Sequence, residues 1–194
     1  VGTAALGGVI PQTVPVLEDG SIDIEVAIGK VKSDDMHFPR TKLLCLENTY
    51  NGKPLSPKYM QCATAAARKV NLRSHLDGAR LMNAAIANKC TPRELASSFD
   101  TVSLCLSKGL GAPVGSVLVG NQDFINEARR VRKMLGGGMR QAGILAACGI
   151  VAMKNQVDRL IQDHALAARL ASELAQIPDI ETEPQGANTN MVFI

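Results

Sequence analysis

The chain has 194 residues, 46% of them hydrophobic and 20% charged, which suits a packed domain and excludes disorder throughout. Its formal net charge is only +3, with bases dispersed among acids, so composition points to neither nucleic-acid nor membrane partners. Aromatic residues are 3% and Trp is absent, so Ala, Leu, Ile, Val and Met must build the core.

The first segment, "VGTAALGGVIPQ", is glycine-rich and carries no charged-then-apolar leader. "EDGSIDIEVAIGKVKS" predicts a turn and then a helix, with Asp23 and Glu25 near its start. "TKLLCLENT" predicts a short strand, and "SPKYMQCATAAARKV" a helix capped by Ser56 with Pro57 at its first position. "NLRSHLDGAR" holds the next strand, which ends on Asp77 and Gly78. "ARLMNAAIANK" predicts a helix, and "TPRELASSF" another, with Thr91 capping and Pro92 first. "TVSLCLS" and "GSVLVG" are strands on either side of a lysine turn, and "NQDFINEARRVRKML" is a helix. A long helical stretch from Met139 to Ile177 follows, with a bend or break expected near Gly149. Residues 188–194 return to strand, and both chain ends read as cut from a longer protein. The alternation of strand and helix gives an α/β class with a largely parallel sheet.

Cys45, Cys62, Cys90, Cys105 and Cys148 make an odd count with no CxxC pair. They read as reduced, buried thiols of a cytoplasmic or organellar protein. No apolar run approaches the length of a membrane span. His37, His75 and His164 show no metal-ligand spacing, and His75 reads as a structural group beside a buried strand. No metal is expected. The glycines 109, 111 and 115 form GxGxxxG and lead into a strand, which argues against a dinucleotide loop.

Ligands of open parallel sheets sit at the carboxyl ends of the strands. Three strands here end in polar groups: Glu47 and Asn48, Asp77 and Arg80, Ser107 and Lys108. If those strands are neighbours, carboxylate, guanidinium and amine meet in one crevice. A lysine in a partly apolar crevice beside another cation is a nucleophile for Schiff-base chemistry. Pyridoxal phosphate uses such a lysine, together with an acid against its pyridine nitrogen. Each feature also has a plain structural reading. Asp-Gly is a common turn, a lysine after a strand is often a solvated loop residue, and Gly136–Gly138 reads as a flexible turn. Spacing alone leaves both readings open.

The stretches "MHFPRTKLLCLENTYN", "HLDGARLMNAAIA", "SLCLSKGLGAPVGSVLVG", "DFINEARRVRKMLGGGMRQAGILAACGI" and "TNMVFI" cover most of the chain. In that order they resemble the threonine aldolase family, pyridoxal-phosphate enzymes of fold type I. The resemblance implies that Lys108 forms the internal aldimine and that Asp77 partners the pyridine nitrogen. It implies Arg80 near the cofactor hydroxyl and the substrate. Lys133 and Arg140, which flank "MLGGGM", would reach the cofactor region of a neighbouring subunit in a dimer of dimers. The implied reaction is cleavage of L-threonine or L-allo-threonine, a small amino-acid substrate, to glycine and acetaldehyde. Residues 1–150 are then part of the cofactor-binding large domain. Residues 151–194 are a connecting helix and the start of a C-terminal domain.

The chain departs from the family pattern in places. The family's phosphate-binding loop and ring-stacking histidine would precede Val1, and a second substrate arginine would follow Ile194. Tyr50 stands where the family pattern has His, and the turn "GKPLSP" is tighter. The resemblance is therefore compatible with the central part of an active aldolase or with a truncated, inactive remnant. Any targeting peptide would also precede Val1, so a mitochondrial location stays open beside the cytoplasmic one.

Overall fold

The computed structural model describes residues 2–183 and 186–194. In chain order the elements are α1 (Gly2–Gly7), α2 (Ile24–Gly29), β1 (Leu43–Glu47), α3 (Pro57–Lys69), β2 (Arg73–Asp77) and α4 (Leu81–Asn88). They continue as α5 (Pro92–Ala96), β3 (Thr101–Cys105), β4 (Ser116–Val119), α6 (Gln122–Met134), α7 (Gly143–Asn155) and α8 (Leu160–Leu174). The helix starts follow from local chemistry. The Asp23 carboxylate accepts from the backbone N–H groups of Glu25 and Val26. Ser56 accepts from the N–H of Tyr59, with Pro57 just inside the helix where its missing N–H is not needed. Thr91 and Glu94 form a reciprocal capping box, again with Pro at the first position.

The sheet runs β1-β2-β3-β4. β1, β2 and β3 are parallel, each pair separated by helical crossovers. β4 is antiparallel to β3, so the sheet is mixed. The reason is length: the connection 106–115 is shorter than the dozen or so residues that a parallel crossover needs.

Strand parity decides where the core lies. Leu44, Leu46, Leu76 and Val102 point to one face and pack with Met60, Ala63 and Ala67 of α3, Ala84 of α4 and Leu95 of α5. The opposite face carries the exposed Leu43, Cys45 and Leu118. This corrects the expectation of buried thiols. Cys45 lies between two inward leucines and so points outward, and Cys62 lies between the buried Met60 and Ala63 yet is exposed. Cys90, Cys105 and Cys148 are half-buried, and all five thiols are free. An apolar run in sequence does not say which face a residue takes.

A second, smaller core joins Met82 of α4, Leu110 and Ala112 of the lysine turn, Ala152 of α7 and Leu160 of α8. The break in the long helical stretch lies at residues 156–159, not near Gly149. Gly149 sits inside α7, where a Cβ would stand 2.9 Å from Leu106 Cδ1. Its glycine permits close helix packing rather than a kink. Residues 188–194 form no strand. They pack instead against the turn at Gly52, whose carbonyl accepts from Thr189 Oγ1 at 2.6 Å. The opening glycine-rich segment forms the short, exposed α1. Among the described residues no helix is long and apolar enough to cross a membrane.

Gly78 is the tightest joint between β2 and β3. Its N–H donates to the Ser103 carbonyl at 2.8 Å, and a Cβ there would lie 2.7 Å from that same oxygen. Backbone cannot yield as a side-chain tip can. We expect Gly78→Ala to lower stability by about 1–3 kcal/mol, as overpacking does. Urea unfolding would show this as a lower midpoint, and an unchanged midpoint would refute the joint.

Candidate functional site

The parallel register brings the strand ends to one level. Glu47 is paired with Asp77, and Asp77 with Ser103. Just beyond the strands the N–H of Asn48 donates to the Asp77 carbonyl at 2.9 Å. Asp77 Oδ1 accepts from the N–H of Ala79 at 3.0 Å, which folds the chain sharply toward α4. Arg80 then occupies the N-cap position of α4, where its side chain makes no cap bond. Its Nε is buried and has no partner among the described residues.

The lysine turn is a closed loop on the end of β3. The N–H of Leu106 donates to the Gly115 carbonyl at 2.9 Å, and that of Ala112 to the Leu106 carbonyl at 3.0 Å. At its tip the N–H of Gly111 donates to the Lys108 carbonyl at 2.9 Å, with Gly111 at φ 74°. That left-handed backbone suits glycine. Leu110 and Ala112 are buried in the second core, which fixes the loop while leaving Lys108 exposed. Sequence reasoning expected this lysine in a partly apolar crevice. The structure gives it exposed at the mouth of a small pocket shared with Arg80, Asn83 and Cys105.

Glu47 links these groups electrostatically. Burial holds its carboxyl above the usual range and the Asp77 carboxylate adds to this, while Lys108 and Arg80 pull it back. Glu47, Asp77, Arg80 and Lys108 therefore share one field at the carboxyl end of the sheet. Glu47 was legible only as a polar strand end. Its place beside Asp77 depends on the register, which sequence does not give.

A raised carboxyl binds its proton more tightly in the folded than in the unfolded state. Its contribution is fully present below the ordinary value of 4.5 and is lost as pH rises through the raised folded value. We expect Glu47→Gln to stabilise the protein at pH 7 relative to the parent, with the difference shrinking toward pH 4. Melting curves at both pH values check this. Equal differences at the two pH values would contradict it.

The surrounding loop is rigidly held. The buried Asn48 amide donates to the Leu55 carbonyl and accepts from the Leu55 N–H, both at 3.0 Å. Tyr50 and Lys53 exchange backbone hydrogen bonds around Asn51 and Gly52, both at positive φ. That is the hairpin turn an Asn-Gly pair favours. The buried Thr49 hydroxyl has no partner among the described residues. His75 Nδ1 lies 2.8 Å from Thr101 Oγ1, and burial pushes the ring's pKa down.

Lys133 and Arg140 are not brought to this pocket within the chain. Lys133 is exposed in the last turn of α6, with its Nζ where a Cβ on Gly138 would stand 2.9 Å away. Arg140 is exposed in the turn after the three glycines.

A lysine on a strand-end loop stands beside two carboxylates and an arginine, the groups that amine chemistry draws on in α/β enzymes. Comparison with known proteins gives its family. The family described as "Beta-eliminating lyase" matches residues 1–194, and the chain belongs to it. A low specificity L-threonine aldolase of Escherichia coli K12 is 49% identical over 193 residues, covering 100% of this chain and 57% of that protein. Low-specificity L-threonine aldolase 1 of Arabidopsis thaliana is 43% identical, covering 100% and 55%. The solved threonine aldolase of Leishmania major superposes with TM-score 0.82 over 99% of this chain and 57% of that one, at 23% identity. That likeness shows the fold. The chain spans a little over half the length of these relatives.

Proposed function

We propose that the protein carrying this chain is a pyridoxal-phosphate-dependent aldolase that cleaves L-threonine and L-allo-threonine to glycine and acetaldehyde. The observation that carries this reading is the meeting of Lys108, Asp77 and Arg80 with Glu47 at the ends of adjacent strands. The aldolase activity named for the similar proteins supports it. The residues fit the cofactor: Lys108 offers the amine that anchors its aldehyde, and Asp77 an acid for its pyridine nitrogen. Arg80 Nε is a buried donor with no partner among the described residues. Pyridoxal phosphate, when bound, supplies an electron sink for carbanion charge.

The chain's own residues then have distinct tasks. Asp77, fixed by the Ala79 N–H, would hold the pyridine nitrogen and keep it protonated. Arg80 orients an anionic or hydroxyl group over the pocket floor. The Lys108 amine would hold a proton near Cα. The substrate gives up its β-hydroxyl proton, the Cα–Cβ bond breaks with its electron pair left on Cα, and Cα takes a proton. Glycine and acetaldehyde leave in equal amounts. Lys133 and Arg140 serve the site of a neighbouring subunit in a homo-oligomer, and the protein is cytoplasmic.

The test is product analysis. Intact protein supplied with pyridoxal phosphate and L-threonine should release acetaldehyde and glycine one to one. Cofactor binding without aldehyde from either threonine isomer would sink the assignment while leaving the family membership untouched.

A further inference from the structure

The lysine turn is held from outside by one residue that the reaction scheme above does not use. Arg159, at the start of α8, donates from Nη2 to the Gly109 carbonyl at 2.7 Å. The same guanidinium donates from Nη1 to Asp163 Oδ1 at 2.6 Å and from Nε to Gln156 Oε1 at 2.7 Å. Each edge of the planar fork is therefore occupied, and the group cannot swing without losing several bonds. The Gly109 carbonyl belongs to the residue directly after Lys108. The Lys108 carbonyl is itself tied by the Gly111 N–H. The carbonyls of two successive peptide groups, Lys108–Gly109 and Gly109–Leu110, are thus pinned, the first by the turn and the second by α8.

Two further contacts make the attachment stiff. Leu160, the residue after Arg159, is fully buried against the turn, and a Cβ on Gly109 would stand 2.8 Å from its Cδ2. One turn on, His164 Nε2 lies 3.0 Å from the amide nitrogen of Asn83, a residue only 3% exposed. A neutral imidazole accepts that bond, and burial favours the neutral ring. Asn83 lies on α4, whose start carries Arg80, and it lines the same pocket as Lys108. So α8 is latched to the turn that bears Lys108 and to the helix that follows Asp77.

We propose that Arg159 is a positioning residue: it fixes the Gly109–Leu110 peptide group, which follows directly on the Lys108–Gly109 group, and so sets the direction from which the exposed Lys108 amine meets an aldehyde. This rests on the reading of Lys108 given under Proposed function. Leu160, Asp163 and the Asn83–His164 bond hold Arg159's helix in place for that task.

The test measures capture of pyridoxal phosphate by the intact protein, with mass spectrometry of the borohydride-reduced adduct. It also records circular dichroism in the cofactor's visible band, which reports how firmly the ring is oriented. Ala171→Gly serves as the matched control. It weakens α8 at a buried site near its far end, through the low helix propensity of glycine. Arg159→Ala should slow capture on Lys108 about tenfold or more and reduce the visible dichroism, whereas Ala171→Gly should change neither. If Arg159→Ala does not fold, Arg159→Lys takes its place. A lysine keeps one donor group but not the fork, so it should capture at an intermediate rate. Parental capture and dichroism in whichever Arg159 variant folds, or equal losses in Ala171→Gly, would overturn the inference. Failure of the parent protein itself to form an adduct on Lys108 would instead sink the functional reading.

Discussion

Lys108→Ala is expected to abolish aldol cleavage, lowering the rate by at least about a thousandfold, about 4 kcal/mol in barrier. Its fold should survive. The turn is closed by backbone hydrogen bonds at Leu106, Ala112 and Gly111, and its buried anchors are Leu110 and Ala112. The Lys108 side chain is exposed, so its truncation leaves no cavity in the packed core. Loss of activity at an unchanged melting temperature would therefore separate a chemical role from a structural one. A solvated loop lysine predicts near-parental activity. Activity assays alongside thermal melts decide between them.

The second large effect is at Asp77. Its carboxylate has two tasks: it accepts from the Ala79 N–H, which shapes the entry to α4, and it supplies negative charge beside Glu47. Asp77→Asn keeps an oxygen to accept the Ala79 bond but removes the charge. We expect a rate loss on the order of 100-fold or more, about 2.7 kcal/mol in barrier, with little change in melting temperature. The variant should also bring the Glu47 carboxyl back toward its ordinary range, because the Asp77 charge adds to its rise. Steady-state rates and melts check the first part. A variant as active as the parent would show that no acid is needed at this position.

The strand–helix order was legible because its punctuation is local. Asp23, Ser56 and Thr91 cap helices where their spacing predicts, and Pro57 and Pro92 open them. Asp77 and Lys108 were legible as strand-end groups, and the family resemblance ranked them above ordinary loop residues. What escaped was set by tertiary packing. Gly149 signals a helix break by propensity, yet its small size serves contact with Leu106. The strand-like "NTNMVFI" has no ladder partner among the described residues and packs on Gly52 instead. Cys45 and Cys62 sit in apolar runs but face outward, because parity and helix phase rather than hydropathy choose the face. Glu47 and Arg159 are ordinary charged residues in sequence. Only the β1–β2 register and the approach of α8 to the lysine turn give them a place near Lys108.

The most direct measurement is the location of the cofactor. The intact protein is incubated with pyridoxal phosphate, reduced with borohydride, digested and mapped by mass spectrometry. The account predicts a single stoichiometric adduct on Lys108, absent from Lys108→Ala. A reduced adduct spread over surface lysines such as Lys58 and Lys69, with Lys108 unmodified, would contradict it.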